Sequence, residues 1–226
     1  MVMNRVLYRN LPYDPDKDFV LISTMSPGSL LFVAHRSTGA TNLKDLVEHA
    51  RRNKLNVGTW GAGGGAHMVI AELNKQFGLQ IEAVHYRGAP PMFQDLNAGV
   101  IQVAQGPYDQ AINSLQTGTG RAIAVWPRRS RKLPDVATFL EQGATSRMFG
   151  LRGYICLAGP SGMPQEIVER LSTSMVEAGK SERVQKLLDM WGIDEAAQGY
   201  VEARRLHERE KPIWIELVSS LELTPQ

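Results

Sequence analysis

The sequence has 226 residues, of which 43% are hydrophobic and 21% charged, as in an ordinary globular protein. The 25 Lys and Arg residues nearly balance the 23 Asp and Glu residues, so charge gives no reason to expect nucleic acid as a partner. The single cysteine, Cys156, excludes an intramolecular disulfide, and no apolar run approaches the length of a membrane helix, which predicts no direct membrane insertion.

The first elements are two short apolar runs, residues 19–24 and 30–35. The turn residues Ser26-Pro27-Gly28 separate them, which predicts two strands joined by a turn. Residues 37–42 are small and polar, and we interpret them as a hinge or domain boundary.

From residue 41 onward, helical and strand patterns alternate. The sequence predicts a helix from about residue 43 and strands over 55–60, 79–86, 101–104 and 122–126, with helices between them. This alternation is typical of βαβ units on a parallel sheet. Ligands bind such sheets beyond the carboxyl ends of the strands, which here are the loops 61–67, 86–91 and 105–109.

The last hundred residues follow a different pattern. Residues 127–134 form a basic, proline-bounded connector, 151–158 predict one more strand, and three helices follow from Pro164, Ser181 and Tyr200. The third helix is predicted to break or kink at Pro212. We therefore predict an α/β protein of two lobes, one made of residues 1–38 and 127–226, the other of residues 39–126.

The glycine-rich segment Gly61-Ala62-Gly63-Gly64-Gly65-Ala66 stands between a predicted strand and helix. Glycines there let backbone N–H groups converge ahead of a positive helix dipole, an arrangement that favours a carboxylate or phosphate. The same residues fit the dinucleotide pattern G-x-G-x-x-A, with Glu82 placed as a ribose-binding acid. A tight turn under close helix packing is the third interpretation.

Side chains that could perform chemistry are few. His67 opens the helix after the glycines, but no nucleophile elbow, H-E-x-x-H or Cys-His spacing accompanies it, so we predict no catalytic residue. The other histidines are scattered, which predicts no metal site. Arg87 could bind a carboxylate, and Asp109 is expected to cap a helix.

Five ordered motifs resemble one known family. They are Leu11-Pro12-Tyr13-Asp14-Pro15 with Lys17-Asp18-Phe19, the glycine turn ending at His67, Tyr86-Arg87-Gly88-Ala89-Pro90, Leu133 to Thr138, and Leu157 to Pro164. In this order they resemble the Bug-type substrate-binding proteins, the extracytoplasmic receptors of tripartite tricarboxylate transporters. The resemblance covers essentially the whole chain.

The resemblance implies a periplasmic-binding-protein type II-like fold with two lobes and a hinge. It also implies capture of a small organic carboxylate without catalysis or cofactor, membrane components of a tripartite transporter as partners, and a periplasmic location. The sequence departs from the family pattern at Gly64 and Gly65, and again at Gln105-Gly106-Pro107. The residues predicted to bind the ligand are Ser26, Gly28, Ser29, Trp60, Gly61, Gly63, Gly64, Gly65, His67, Tyr86, Arg87, Gly88, Gln105 and Asp109.

Family members begin with a signal peptide and a β-α-β-α-β stretch that this sequence does not contain. We therefore expect a complete second lobe and a partial first lobe with an exposed apolar edge, and a cytoplasmic location if Met1 is the genuine start. Two alternatives remain. In the first, the chain is a nucleotide-dependent enzyme that uses residues 61–66. In the second, it is a truncated relic that binds nothing.

Overall fold

The computed structural model describes residues 2–225, which divide into two compact units. Unit 1 contains the described residues up to Gly28 and from Arg152 onward, and unit 2 is Ser29–Leu151. Residues 29–38 and 127–151 thus pack in unit 2, although the sequence pattern assigned them to the first lobe. The expected boundaries at 38 and 126 are displaced to 28 and 151.

Unit 2 is built on a five-stranded sheet. Its strands are β2 (Leu30–His35), β3 (Asn56–Thr59), β4 (Glu82–His85), β5 (Val103–Gly106) and β6 (Gly120–Trp126), and their spatial order is β4-β3-β5-β2-β6. The strands β3, β4 and β5 are parallel, and β2 runs antiparallel to both β5 and β6. The four predicted strands therefore share one direction, as expected, but β2 lies between two of them.

The placement of β2 corrects the prediction that residues 19–35 belong to one lobe. Five of the six β2 residues are buried, which suits a central strand covered on both faces. The turn before it directs the chain away from the preceding strand, because Pro27 has no N–H to donate and Gly28 adopts a left-handed φ of 82°. The two predicted strands therefore join different sheets.

Helices cover the sheet of unit 2. They are α2 (Leu43–Arg52), α3 (Gly65–Phe77), α4 (Ala89–Asn97) and α5 (Tyr108–Gln116). Side chains of β2, β5 and β6 pack with α4 and α5 in one core cluster that includes Leu31, Val33, Ala104 and Val125. Phe32 follows Leu31 and points to the opposite face. Its ring packs edge to face against that of Phe139, with ring centroids 5.3 Å apart.

Unit 1 has a two-stranded sheet, in which β1 (Phe19–Met25) pairs antiparallel with β7 (Ile155–Pro160). Its helices are α1 (Asn4–Leu7), α6 (Gln165–Lys180), α7 (Glu182–Trp191) and α8 (Tyr200–Ser219). The helix α8 continues through Pro212, so of the predicted break or kink the break is wrong and the kink stays a prediction. On β7, the side chains of Ile155 and Leu157 are 56% and 39% exposed.

Two absences bear on function. Among residues 2–225, no helix is long and apolar enough to cross a membrane. No group of three or more His, Cys, Asp or Glu side chains within that range could hold a metal ion.

Candidate functional site

The glycine turn connects the carboxyl end of β3 to the first residue of α3. Gly61 and Gly63 have φ values of 153° and 70°, conformations that L side chains rarely adopt. Gly65 is restricted by space and not by its backbone conformation, since a Cβ there would lie 3.3 Å from the Trp126 ring. That indole is held by a hydrogen bond of 3.1 Å from its Nε1 to the carbonyl of Met148.

Three amides of the turn are used inside the turn. Gly61 N donates to Thr59 Oγ1 at 3.4 Å, Gly63 N to His67 Nδ1 at 3.1 Å, and Gly64 N to the carbonyl of Gly61 at 3.4 Å. The amides of Gly61, Gly63 and Gly64 are therefore not free to bind a ligand. Their role is to hold the turn.

The unbonded amides lie one step further along the chain. Gly64 is the N-cap of α3 and has no side chain to cap the helix. Within the described part of the chain, the amides of Gly65, Ala66 and His67 make no hydrogen bond, and the first bonded amide of the helix is that of Met68. Three free N–H groups at the positive end of a 13-residue helix form an anion-binding arrangement.

Two histidines stand beside this helix terminus. The rings of His67 and His85 meet edge to face, with centroids 5.0 Å apart. His85 ends β4, where its Nδ1 lies 2.6 Å from the hydroxyl of the fully buried Thr59. Burial lowers the pKa of both imidazoles, and that of His67 falls further through the neighbouring ring. Sequence reasoning missed His85, because only the parallel pairing of β3 and β4 brings it beside Thr59.

A buried polar residue follows on the next strand. The pairs Val57–Val103 and Gly58–Ala104 place Gln105 directly beside Thr59. A Cβ at Gly58 or Gly106 would clash with side chains of α4, so Thr59 and Gln105 point to the opposite face of the sheet. Gln105 is fully buried, and neither its amide nitrogen nor its oxygen has a partner among the described residues. Such a group requires a water or ligand to bond with.

The second predicted loop begins with Tyr86. Its hydroxyl donates to Asp95 of α4 at 2.7 Å. Burial is the main cause and this hydrogen bond the second cause that raise the pKa of Tyr86 to about 12. The phenol is therefore already engaged with α4. Arg87 is exposed, and Gly88 caps α4 with a φ of 108°.

The remaining predicted residues are dispersed. Ser26 accepts a 3.2 Å hydrogen bond from Gly28 N in unit 1, whereas Ser29 begins unit 2 and its buried hydroxyl has no partner among residues 2–225. Trp60 packs partly buried against the core cluster of unit 2. Asp109 does not cap α5, because Pro107 takes the N-cap position and leaves Asp109 in the first helical turn.

Glu82 is wrongly placed for the dinucleotide interpretation, in which it would bind the ribose. Glu82 pairs with Asn56 at the amino end of β4, whereas the glycine turn follows Thr59 at the carboxyl end of parallel β3. Three residues of strand separate these ends by about 10 Å. Glu82 is exposed and forms an ion pair with Lys54 at 3.0 Å. A ribose-binding acid would have to lie at the other end of the strand.

Comparison with known proteins gives a consistent result. Residues 2–223 match the family model described as "Tripartite tricarboxylate transporter family receptor". A UPF0065 protein from the tcbD-tcbE intergenic region of a Pseudomonas species is 26% identical over 96% of this chain. Protein BugT of Bordetella pertussis is 24% identical over 79% of it. The chain spans 66% of the length of the first relative and 55% of the second.

Solved structures show the same fold. The R. palustris protein Rpa4515 with adipate is 25% identical, with a TM-score of 0.83 over 99% of this chain and 75% of its own. MatC of Rhodopseudomonas palustris with bound malate is 24% identical, with a TM-score of 0.77 over 96% of this chain and 76% of its own. The predicted α/β, periplasmic-binding-protein type II-like fold class is confirmed.

Proposed function

This chain belongs to the tripartite tricarboxylate transporter receptor family, and we propose that it binds a small organic carboxylate at the amino end of α3. The observation that carries the proposal is the set of three unbonded amides of Gly65, Ala66 and His67. A carboxylate supplies acceptors for these donors and a negative charge for the helix dipole. Relatives of the same fold were solved with adipate and malate, which are both carboxylates.

The side chains around the helix terminus support binding rather than bond-making. The Thr59 side chain is fully buried and the Tyr86 hydroxyl donates to Asp95, so neither hydroxyl is presented to a substrate. We therefore propose a non-enzymatic receptor that needs no cofactor. Membrane components of a tripartite transporter, and a periplasmic site of action, follow from the family as parts of the same proposal.

The exposed residue Ala62 allows a direct test of the electrostatics. Isothermal titration calorimetry with malate and adipate measures Kd for the wild type and for Ala62→Asp and Ala62→Asn. A negative charge near the helix terminus should weaken binding about fivefold, an interaction of about 1 kcal/mol. The amide variant has nearly the same shape and no charge, and should leave Kd unchanged.

Two results would contradict the proposal. Neither acid binding to the wild type, or equal weakening by both variants, would show that no anion lies at this terminus. Saturable binding of NADH in place of the acids would favour the nucleotide-dependent enzyme instead.

A further inference from the structure

We propose that a carboxylate oxygen of the ligand takes the N-cap position of α3, and that the indole N–H of Trp60 donates a hydrogen bond to it there. The inference rests on the proposed function and deepens it, because it names a side chain that recognises the ligand and the place that the carboxylate occupies. It starts from an open position at Gly64.

Gly64 holds the N-cap of α3 in an ordinary extended conformation, with φ −78° and ψ 169°. Ser, Thr, Asp and Asn adopt this conformation at an N-cap, where their side-chain oxygen accepts from the amide of the second or third helical residue. In α3 those residues are Ala66 and His67, whose amides make no hydrogen bond within the described range. The backbone thus presents a capping position, and glycine supplies no oxygen to fill it.

The indole of Trp60 borders this open position. A Cβ built on Gly64 would lie 3.9 Å from Trp60 Nε1 and 4.0 Å from Cδ1. A capping oxygen lies one bond beyond the Cβ, so an oxygen that accepts from the helix amides there also comes within hydrogen-bond reach of the indole. Two kinds of N–H donor therefore line the same position.

The indole N–H of Trp60 is available for such a bond. Trp60 Nε1 has no acceptor among residues 2–225, whereas the other indole of unit 2, Trp126, donates to the carbonyl of Met148 at 3.1 Å. An indole can donate but cannot accept, so its ligand must bring an acceptor. The ring of Trp60 is partly buried against the core cluster of unit 2, so little freedom of the ring is lost on binding.

A second unpartnered polar side chain lies at the same end of the sheet. Gln105 pairs with Phe32 of β2, and Phe32 pairs with Ala124 on its other side. Ala124 precedes Trp126 by two residues, so the side chains of Gln105 and Trp126 share one face of the sheet. Gly65 packs on the Trp126 ring, so the chain from β3 to α3 crosses the carboxyl end of β5 above Gln105.

The state of Gln105 is an independent sign of a polar guest. Its side chain is fully buried, and neither amide atom has a partner within the described part of the chain. A buried amide without partners costs free energy, and such a group is found where a ligand or water completes its surroundings. The chain also leaves β3 on one face of the sheet and reaches the neighbouring β5 through α4 on the other, which is where ligands bind in open α/β sheets.

The first experiment follows the indole N–H signals of ¹⁵N-labelled protein during titration with malate. The Trp60 signal, assigned by its loss in Trp60→Phe, should shift saturably as malate binds. Trp126 is an internal control whose N–H is already bonded. Trp191 of α7 in unit 1 is a second control, since it is partly exposed and has no hydrogen bond among residues 2–225. Neither control signal should shift.

Calorimetry then measures what the indole contributes to affinity. Trp60→Phe keeps an aromatic ring and removes the donor, and it should raise Kd for malate about tenfold, as expected for a hydrogen bond to a charged group. Trp191→Phe is the matched control and should leave Kd unchanged.

A substitution at Gly64 tests the position itself. Gly64→Asp places a carboxylate of the chain at the N-cap, the arrangement proposed for the ligand. This variant should show a shifted Trp60 indole signal without malate and should not bind malate. Gly64→Ala supplies a Cβ without an oxygen, so its Trp60 signal should match the ligand-free wild type and it should retain malate binding.

Three results would overturn the inference and leave carboxylate binding at α3 standing. They are malate binding with an unshifted Trp60 indole signal, equal Kd values for the wild type and Trp60→Phe, and malate binding by Gly64→Asp as tight as by Gly64→Ala. Equal shifts of all the indole signals would also overturn it. Absence of malate and adipate binding to the wild type would overturn this inference and the proposed function together.

Discussion

The two units of the molecule bury apolar surface to very different extents. Unit 2 places β2 and β5 at the centre of five strands with helices over the sheet, and Leu31, Phe32 and Val33 are fully buried. Unit 1 has two paired strands, and the first four residues of its β7 alternate between exposed and partly buried. Its helix α6 leaves Ile167 and Leu171 about two-fifths exposed.

The difference shows where each unit finds its stability. Unit 2 gains it mainly from hydrophobic burial, which scales with the apolar area removed from water. Unit 1 also contains a buried polar anchor, the carboxylate of Glu210. Glu210 is 3% exposed and accepts hydrogen bonds from Arg152 N, Gly153 N and Trp214 Nε1 at 3.2 to 3.3 Å. The candidate site accordingly lies on the more completely packed unit.

The largest expected effect is loss of a core ring in unit 2. Phe32→Ala removes a fully buried side chain that stacks against Phe139. We expect a decrease of about 3–5 kcal/mol in the free energy of unfolding, measured by urea denaturation. Phe32→Leu should cost clearly less. Equal effects of the two variants would show that the unit does not depend on this packing.

A smaller loss is expected at the polar anchor of unit 1. Glu210→Ala removes the carboxylate that accepts these hydrogen bonds, two of them from the backbone amides of Arg152 and Gly153, and should lower the free energy of unfolding by about 2 kcal/mol. Glu210→Gln retains one acceptor oxygen and should cost less. A stability unchanged by the alanine variant would contradict the role assigned to this carboxylate.

Acid should destabilise the molecule through three histidines whose imidazoles are partly desolvated in the folded state. Burial lowers the pKa of His67 and His85 in unit 2 and of His207 in unit 1. The unfolded chain therefore binds more protons than the folded chain below pH 6.5, and the free energy of unfolding falls as pH drops from there toward the lowered values.

Urea denaturation at a series of pH values measures this slope. The double variant His67→Gln, His85→Gln should show a shallower fall than the wild type, and His49→Gln should match the wild type. A free energy of unfolding that rises as pH drops over this range would contradict the prediction.

The smallest effect is expected on the exposed strand of unit 1. Ile155→Thr changes a side chain that is 56% exposed and keeps the β-branch that strands favour. The free energy of unfolding should change by no more than about 0.5 kcal/mol. A loss comparable to that of Phe32→Ala would mean that Ile155 is buried in solution.

Local patterns predicted the helices and strands of unit 2 well. The alternation of periods marked β3 to β6 and the helices that join them, and the glycines before His67 marked the turn. The partner of β2 could not be predicted in this way. An apolar run of six residues fits any buried strand, and its neighbours β5 and β6 lie about 70 to 90 residues away in sequence.

The candidate site was predicted only in part. Sequence alone indicated an anion site at the glycine turn, but it did not show which amides the turn itself uses. It also did not indicate that His85 and Gln105 lie close together, because the proximity of each to Thr59 depends on strand register. Glu82 misled for the same reason, since spacing along the chain does not show at which end of a strand a residue lies.

The central claim is that a carboxylate binds the free amides at the start of α3. Titration of the ¹⁵N-labelled protein with malate, followed by ¹H–¹⁵N correlation spectra, observes these groups individually. We expect saturable shifts of the Gly65, Ala66 and His67 amides, larger than those of Gly61 and Gly63, which are bonded within the turn. Shifts confined to other residues, or none at millimolar malate, would contradict it.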